Sequence, residues 1–115
     1  MIGVSFYPWW HGKLSDLKAN LEFCVNEFGK DVVVVETSYP WTLQWFDSTT
    51  NIVGMENQLQ EGYPATKDGQ AKWLYDLTEV VAGLPNNRGL GVISWGATWV
   101  INSPWENQEL FDPWG

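Results

Sequence analysis

Residues Val32–Trp41, with the sequence VVVVETSYPW, decide the fold of this chain, because four β-branched apolar residues end abruptly in a carboxylate followed by aromatic residues. An apolar run without alternation predicts a strand that is buried on both faces, as in the parallel sheets of α/β proteins. Glu36 then lies at the carboxyl end of that strand, where such folds place ligands and catalytic groups. Glu36 is therefore the first candidate catalytic residue.

Apolar patterns on both sides of this run predict alternating strands and helices. Continuous β-prone segments indicate strands, and apolar residues at helical spacing indicate helices. Capping and stop residues such as Ser15 and Gly29 set the expected helix ends. The predicted elements are a strand over Ile2–Tyr7, a helix from Ser15 to Gly29, a strand over Val32–Val35, a packed loop over 41–64, a helix over Thr66–Ala82 and a strand over Leu90–Trp95.

The order of these elements favours part of a (β/α)8 barrel. Three parallel strands with helices between them cannot close on themselves, so they leave two unpaired edges and exposed apolar faces. A complete barrel needs about 250 residues, whereas this chain has 115. We therefore expect an α/β fold that is the C-terminal part of a TIM (β/α)8 barrel, with residues 1–115 as one partial catalytic domain. A small three-layer α/β domain is the alternative, although no Gly-rich phosphate loop follows the first strand.

The composition argues against several classes of function. Six Lys and Arg against 14 Asp and Glu give a net charge of -8, which would repel the phosphates of nucleic acid. No apolar run approaches the roughly 20 residues needed to cross a membrane, and no basic segment followed by an apolar stretch marks a secretory signal in this chain. The single Cys24 excludes an intrachain disulfide, and the single His11 cannot build a catalytic transition-metal site.

Four segments carry a resemblance that covers the chain from Ile2 to about Trp99. They are Gly3–Gly12, Leu14–Leu21, Val32–Trp41 and Gly62–Ala71. Together these segments resemble glycoside hydrolase family 53, the arabinogalactan endo-β-1,4-galactanases. The resemblance implies a (β/α)8 barrel that cleaves β-1,4-linked galactan with retention, using two glutamates at the ends of its fourth and seventh strands. The three strands predicted here would then be strands six, seven and eight.

In this family comparison Glu36 takes the place of the nucleophile. The acid/base glutamate of strand four has no counterpart, because the chain begins after that strand. A retaining glycosidase needs two carboxyl groups about 5 to 5.5 Å apart. We therefore expect the chain alone to be inactive, or nearly so, unless the missing N-terminal barrel strands are supplied as a partner. The resemblance also implies a polysaccharide substrate, β-1,4-galactan of type I arabinogalactan, and an extracellular location.

Aromatic residues follow each of the predicted strands, and aromatic side chains make up 16% of the sequence. Flat rings pack against the apolar C–H faces of sugars, although any one of these rings could instead fill the core. Tyr39 is also a candidate to hydrogen-bond the nucleophile or a sugar 2-hydroxyl, and Ser5 and Thr37 are candidates to orient Glu36. The predicted substrate-binding residues are Tyr7, Trp9, Trp10, His11, Tyr39, Trp41, Trp95 and Trp99.

One segment departs from the family pattern. The region of strand eight in the family typically contains an acidic residue and a proline between two Trp residues. Here Trp95 and Trp99 keep the same separation, but Gly96 and Ala97 replace the acidic residue and the proline. The loss of that carboxylate predicts substrate subsites or a loop geometry that differ from the family pattern.

No cofactor is expected, although the resemblance leaves a structural calcium ion open. Bacterial members can carry one in the long loops near strands seven and eight, and calcium binds six to eight oxygen atoms. The alternative is an ordinary polar loop. Two other classes of function also fit the residues: a noncatalytic carbohydrate-binding module and a small structural α/β domain without glycan affinity. The candidate oxygen donors are Asp47, Asn51, Asn102, Glu106, Asn107 and Asp112.

Overall fold

The computed structural model describes residues 1–98 and 103–111. Strands and helices alternate, with a short helix after the first strand and single 3-10 turns in two of the loops. The elements are β1 (Ile2–Ser5), α1 (Pro8–His11), α2 (Leu14–Phe28), β2 (Val32–Thr37), a 3-10 turn (Glu56–Gln58), α3 (Lys67–Ala82), a second 3-10 turn (Pro85–Asn87) and β3 (Gly89–Ser94).

The three strands form one parallel sheet in the order β1-β2-β3. Val34 of the central strand pairs with Val4 on one side and with Val92 on the other. Neighbours in the sequence are therefore neighbours in the sheet, as in the successive strands of a (β/α)8 barrel and without the reversal of a doubly wound fold. The predicted strands are confirmed, with ends that differ by one or two residues.

The central strand carries a bulge at its carboxyl end. Val34 pairs with Val4 and Glu36 pairs with Ser5, so Val35 is an extra residue on β2. Two residues of a bulged strand face one residue of its neighbour, and the alternation of side chains shifts by one position. Val34 and Thr37 are fully buried, whereas 41% of Val35 is exposed and Glu36 is partly exposed. The bulge therefore turns Glu36 away from the buried face.

Helix α2 begins earlier than the sequence indicates. Its N-cap is Lys13, whose backbone N–H donates to the Asp16 carboxylate at 3.0 Å, whereas Ser15 lies inside the first turn. The prediction of a Ser15 cap is wrong because the side chain three residues after Lys13 satisfies the free N–H. The predicted stop is confirmed, since Gly29 has the left-handed conformation with φ of 58°.

The core lies on one face of the sheet, beneath α2 and α3. Val32 and Val34 point into it and are fully buried, whereas the opposite face exposes 41% of Val35 and 55% of Ile93. The expectation that β2 is buried on both faces is therefore wrong for the described residues, because α2 and α3 both cover the same side. The buried apolar residues that pack together in this core are Phe6, Leu17, Leu21, Val25, Val32, Val34, Tyr39, Trp73, Leu77, Val81 and Leu84.

Trp73 joins the two strand exits to helix α3. Its ring is fully buried and stacks on Phe6 after β1, with centroids 6.2 Å apart, and on Tyr39 after β2, with centroids 5.0 Å apart. Stacked aromatic rings contribute about 0.5–1.5 kcal/mol beyond their buried area. This stack fixes the segments that follow β1 and β2 relative to each other. Among residues 1–98 and 103–111, no helix has the length and apolar character needed to cross a membrane.

Candidate active site

Glu36 is held by two hydroxyl groups from the neighbouring strand and its exit. Ser5 Oγ donates to Glu36 Oε2 at 3.3 Å, and the hydroxyl of Tyr7 donates to Glu36 Oε1 at 2.6 Å. Each oxygen of the carboxylate thus accepts a hydrogen bond from one hydroxyl group. The orienting role expected of Ser5 matches this geometry. Thr37 does not share that role, because its side chain is fully buried and its Oγ1 has no hydrogen-bond partner among the described residues.

Tyr7 is itself fixed in place by the short helix that follows it. Its backbone N–H donates to His11 Nδ1 at 2.9 Å, and its carbonyl accepts from the backbone N–H groups of Trp10 and His11 at 3.0 and 2.8 Å. Burial raises the pKa of Tyr7 far above its ordinary value of 10.0, and the hydrogen bond to Glu36 and the charge of that carboxylate raise it further. The phenol therefore remains a protonated donor to Glu36 at neutral pH.

Aromatic rings surround Tyr7, which is 3% exposed, so its ring has no open face for the sugar contact that the sequence suggested and its hydroxyl contacts Glu36 instead. The rings of Trp9, Trp10 and Trp105 have centroids 5.3, 5.4 and 5.3 Å from that of Tyr7, and we call these four residues the aromatic cluster. Trp10 is the most exposed of them, with 57% of its surface accessible. Trp105 is absent from the residues predicted to bind substrate, because the segment around it has no periodic pattern that would place it near β1. The sequence indicated a binding role for Trp105 only through the high number of Trp residues in the chain.

The segment 103–111 reaches this position through buried polar contacts with the loop that follows β2. The backbone N–H of Trp41 donates to Asn107 O at 2.9 Å. The side-chain amide of Asn107 donates to Thr42 O at 2.8 Å and to Val53 O at 2.7 Å, and Asn107 is fully buried. Buried amides that are hydrogen-bonded in this way fix the two loops as one unit.

Gln70 adds a second attachment from helix α3. Its Nε2 lies 2.8 Å from Tyr39 O, 3.3 Å from Gln108 O and 3.1 Å from Glu109 O, so the two N–H groups of one amide are shared among three carbonyls. Gln70 is 8% exposed. The helix after the central strand therefore positions both the exit of β2 and the segment that carries Trp105.

Tyr39 lies in the core and does not reach the site. It is 1% exposed, and its hydroxyl donates to Tyr63 O at 2.6 Å and accepts from the backbone N–H of Gln60 at 3.1 Å. Its ring has no open face for a sugar. The hydrogen bond to Glu36 that the sequence suggested for Tyr39 comes instead from Tyr7, because the exit of β1 lies beside the end of β2.

The remaining predicted aromatic residues differ in their surroundings. The Trp41 ring stacks on Phe46 with centroids 5.7 Å apart, and Lys67 Nζ lies 5.5 Å from its centroid. Trp95 is 39% exposed, and its backbone N–H donates to Thr37 O at 2.7 Å, which extends the pairing of β2 with β3. Trp99 lies outside the described residues.

Four of the six candidate calcium ligands lie within the described residues, and Asn102 and Asp112 lie outside them. Glu106 is fully buried, and its Oε1 accepts from the backbone N–H of Phe46 at 2.8 Å. Its Oε2 has no hydrogen-bond partner in the described part of the chain, and neither do the side-chain oxygens of Asn51 and Asn107. Such oxygens suit a hard cation. Nevertheless, residues 1–98 and 103–111 contain no group of three His, Cys, Asp or Glu side chains arranged to hold a metal, so the calcium ion stays a prediction.

Two comparisons with known sequences give the same family. A family model described as glycosyl hydrolase family 53 matches residues 1–115. The arabinogalactan endo-beta-1,4-galactanase of Cellvibrio japonicus is 38% identical over 97% of this chain and 31% of its own length. The endo-beta-1,4-galactanase of Bacillus subtilis is 36% identical over 96% of this chain and 26% of its own length. The chain thus spans about a third or less of these relatives.

Solved structures agree with these matches. The Ignisphaera aggregans GH53 catalytic domain is 36% identical and superimposes with a TM-score of 0.90, covering 96% of this chain and 34% of that chain. A fungal beta-1,4-galactanase structure, 24% identical with a TM-score of 0.74, shares the fold. Because the family model matches every residue and the structural match covers nearly all of the chain, this chain belongs to glycosyl hydrolase family 53.

Proposed function

We propose that this chain supplies strands six to eight of the (β/α)8 barrel of an endo-acting β-1,4-galactanase, with Glu36 as the nucleophile of a retaining mechanism. One observation carries the proposal. Glu36 lies at the carboxyl end of the central strand of a family 53 chain, and hydroxyls from β1 and its exit hold both of its oxygens. The proposed substrate is the β-1,4-galactan of type I arabinogalactan. Because a polysaccharide does not cross a membrane, we place the reaction outside the cell.

The contacts of Glu36 suit a nucleophile that must attack and later leave. In the first step a carboxylate oxygen forms a bond to the anomeric carbon as the bond to the leaving sugar oxygen breaks. Oε2 has the longer hydrogen bond, since it lies 3.3 Å from Ser5 Oγ. Less hydrogen-bond energy is therefore lost when this oxygen attacks. In the second step water attacks the anomeric carbon and gives a proton to the second carboxyl group, while the bond to Glu36 breaks and its carboxylate regains its charge. The Tyr7 hydroxyl, 2.6 Å from Oε1, stabilises that charge.

The proton for the leaving oxygen has to come from a second carboxyl group. Several acidic side chains of the described residues have other roles: Asp16 accepts from the Lys13 backbone, Asp76 pairs with Lys72, and Glu106 accepts from the Phe46 backbone. We therefore propose that the acid/base group lies in strands that this chain does not contain. The chain alone is then expected to give little or no turnover.

The aromatic cluster supports a neutral polysaccharide as the substrate. Trp10 offers an exposed ring next to the Tyr7–Glu36 pair, and Trp95 offers a partly exposed ring after β3. Sugar C–H faces can pack against such rings without any charge on the substrate. We propose Trp9, Trp10, His11 and Trp95 as substrate contacts. Trp105, which the sequence did not indicate, is a fifth proposed contact.

The test uses a completed barrel, defined as this chain combined with the part of the Ignisphaera aggregans GH53 catalytic domain that lies outside the aligned region. New reducing ends are measured on β-1,4-galactan. We expect activity in the completed barrel, loss of activity to background in Glu36→Gln, and no loss in the matched control Glu79→Gln, an exposed residue of α3. Turnover by the isolated chain that survives Glu36→Gln would contradict the proposal.

The aromatic cluster also supports a second candidate function, a noncatalytic carbohydrate-binding module. The exposed Trp10 and the half-buried Trp9 and Trp105 would serve such a module without a second carboxylate. Calorimetric titration of the isolated chain with galactan oligosaccharides separates the two. Affinity that survives Glu36→Gln and disappears in Trp10→Ala, together with no activity in the completed barrel, would favour the binding module.

A further inference from the structure

The short helix α1 is closed at its start by the side chain of its last residue. Tyr7 precedes the helix, and its backbone N–H donates to His11 Nδ1 at 2.9 Å. In a capping box a Glu or Gln side chain accepts from the N-cap backbone N–H in the same way. In α1 an imidazole takes the place of that carboxylate or amide, so the start of the helix is closed by a group that can gain a proton.

The contact with Tyr7 defines the state of the His11 ring, because a backbone N–H can only donate. Nδ1 accepts a hydrogen bond only when it carries no proton, and a neutral imidazole then carries its proton on Nε2. A protonated ring is a donor at both nitrogens, so Nδ1–H would point at the N–H of Tyr7 with no acceptor between them. The contact is therefore specific for the neutral ring that is protonated at Nε2.

Three aromatic neighbours orient the His11 ring. Its centroid lies 6.1 Å from that of Phe6, 6.3 Å from that of Tyr7 and 6.4 Å from that of Trp10. His11 is nevertheless exposed, and its Nε2 takes part in no hydrogen bond within residues 1–98 and 103–111. The Nε2–H group can therefore donate to an oxygen atom that lies outside these residues.

Tyr7 connects His11 to the nucleophile. The backbone N–H of Phe6 donates to the carbonyl of Glu36 at 2.8 Å, which ties the exit of β1 to β2 one residue before Tyr7. The N–H of Tyr7 has its partner in His11 and not on β2, while the Tyr7 hydroxyl donates to Glu36 Oε1 at 2.6 Å. Tyr7 is 3% exposed, and a buried N–H without a partner is costly. His11 therefore stabilises the backbone position from which the phenol reaches Glu36.

Few groups near His11 can carry a charge. The titratable groups that the neighbouring elements bring near it are Tyr7 and, through its hydroxyl, Glu36 on the strand side, and Asp16 and Cys24 on α2. The Asp16 carboxylate accepts from the Lys13 backbone at 3.0 Å. Within the described part of the chain, none of these groups forms an ion pair with His11. Loss of the contact with Tyr7 is therefore the direct consequence when His11 gains a proton.

We propose that His11 is a positioning residue for the nucleophile, and that it acts only as the neutral ring that accepts from the Tyr7 backbone. A His11 that gains a proton releases Tyr7, and Tyr7 then no longer presents its hydroxyl to Glu36 at the same place. The substrate contact proposed for His11 is made by Nε2–H, which donates to a sugar hydroxyl. This inference rests on the proposed function and deepens it, because it names a residue that controls the same site.

The first measurement is the state of His11 itself, which does not depend on activity. His11 is the only histidine of this chain, and in the completed barrel its ring signals are those that disappear in His11→Gln. At neutral pH we expect ring nitrogen NMR shifts of the unprotonated type at Nδ1 and of the protonated type at Nε2. We also expect the Tyr7 amide to exchange with solvent at least about tenfold faster in His11→Leu than in the unsubstituted protein.

The second measurement is the pH profile of galactan hydrolysis by the completed barrel. His11→Leu removes the acceptor, and we expect kcat to fall by at least about fivefold. Gln offers a neutral acceptor, so we expect kcat of His11→Gln to exceed that of His11→Leu by at least about threefold. Because this Gln does not titrate, the acid side of the kcat/KM profile should move to lower pH in His11→Gln. The matched control Glu27→Gln, an exposed residue of α2, should keep the original profile.

Three outcomes would overturn the inference. They are a folded protein whose His11 carries its proton on Nδ1, a Tyr7 amide whose exchange changes less than about twofold in His11→Leu, and a pH profile of His11→Gln that matches that of Glu27→Gln. The state of His11 is measured on the unsubstituted protein, so it decides the matter even where a variant fails to fold. A His11-dependent Tyr7 amide without galactan hydrolysis would count against the proposed function alone. Hydrolysis with an unchanged kcat in His11→Leu would count against His11 alone.

Discussion

Removing one hydroxyl group tests how the site holds its nucleophile. Tyr7→Phe deletes the donor that lies 2.6 Å from Glu36 Oε1 and leaves the ring in the aromatic cluster. A hydrogen bond to a charged group contributes about 1.5–3 kcal/mol. At about 1.4 kcal/mol for each factor of ten, its loss corresponds to about a 10- to 150-fold effect on a rate that depends on it.

The step that depends on this bond is the hydrolysis of the glycosyl ester, in which Glu36 leaves and regains its negative charge. Without the Tyr7 donor that step slows, while ester formation, in which the carboxylate loses charge, slows less. We expect kcat of the completed barrel on β-1,4-galactan to fall by about 10- to 150-fold in Tyr7→Phe. We also expect an initial burst of product as the ester accumulates.

Tyr75→Phe is the matched control for this measurement. It removes the same hydroxyl group from helix α3, where Tyr75 is 64% exposed. We expect its kcat to stay within about twofold of the unsubstituted protein. A Tyr7→Phe variant that also stays within this range, or that shows no burst, would refute the role assigned to the Tyr7–Glu36 bond.

In Glu36→Gln we expect the pKa of Tyr7 to fall but to stay above 10.0, because burial is the largest cause of its rise; absorbance of the ionised phenol against pH measures it, and an unchanged pKa would contradict the contact. Lys72 and then Tyr63 lower the pKa of Asp76 through hydrogen bonds, so this carboxylate stabilises the fold above its unfolded pKa and less as the pH falls. The difference in the free energy of unfolding between the protein and Asp76→Asn, measured in urea, should therefore narrow as the pH falls through the folded-state pKa of Asp76, and a constant difference would refute this. Gln70→Ala removes a buried donor to three carbonyls, and we expect urea unfolding to show a loss of about 1–3 kcal/mol, unlike the exposed control Asn57→Ala.

The strands and helices could be predicted because their patterns are local. The Val run of β2, the stop at Gly29 and the apolar spacing of α3 each indicate an element without knowledge of its neighbours. The parallel order of the sheet also followed, since one long helix lies between each pair of successive strands. These local patterns also predicted the position of Glu36 at the end of the central strand.

The partners of Glu36 could be found only in part, because they depend on packing between strands. Tyr7 and Tyr39 both follow a strand closely, and nothing in their local sequence shows that Tyr39 turns into the core beside Trp73 while Tyr7 turns toward the carboxylate. Trp105 lies 69 positions beyond Glu36, so its place in the aromatic cluster results from long-range contacts of Asn107 and Gln108.

The buried face of β2 shows the same limit. Four consecutive Val residues predict burial on both sides, but Val35 is 41% exposed. The four Val residues suit a strand that is covered on both faces, whereas among the residues that the structure describes helices cover only one face. The exposed side is therefore itself a sequence signal, because apolar residues there indicate that further structure belongs against them.

Because Val35 is an extra residue on β2, the face of the sheet on which Glu36 lies depends on the number of residues between Val34 and Glu36. In a regular strand Glu36 would follow the fully buried Val34 at the same phase and point its carboxylate among the helices, at a large cost in desolvation. Deleting Val35 would leave Glu36 opposite Ser5 and pointing outward. Inserting one residue between Val34 and Glu36 next to the bulge would instead turn Glu36 toward the helices. A transplant of this strand into another scaffold must therefore either keep the bulge at Val35 or omit Val35, because a regular strand of the same length would point the glutamate into the core.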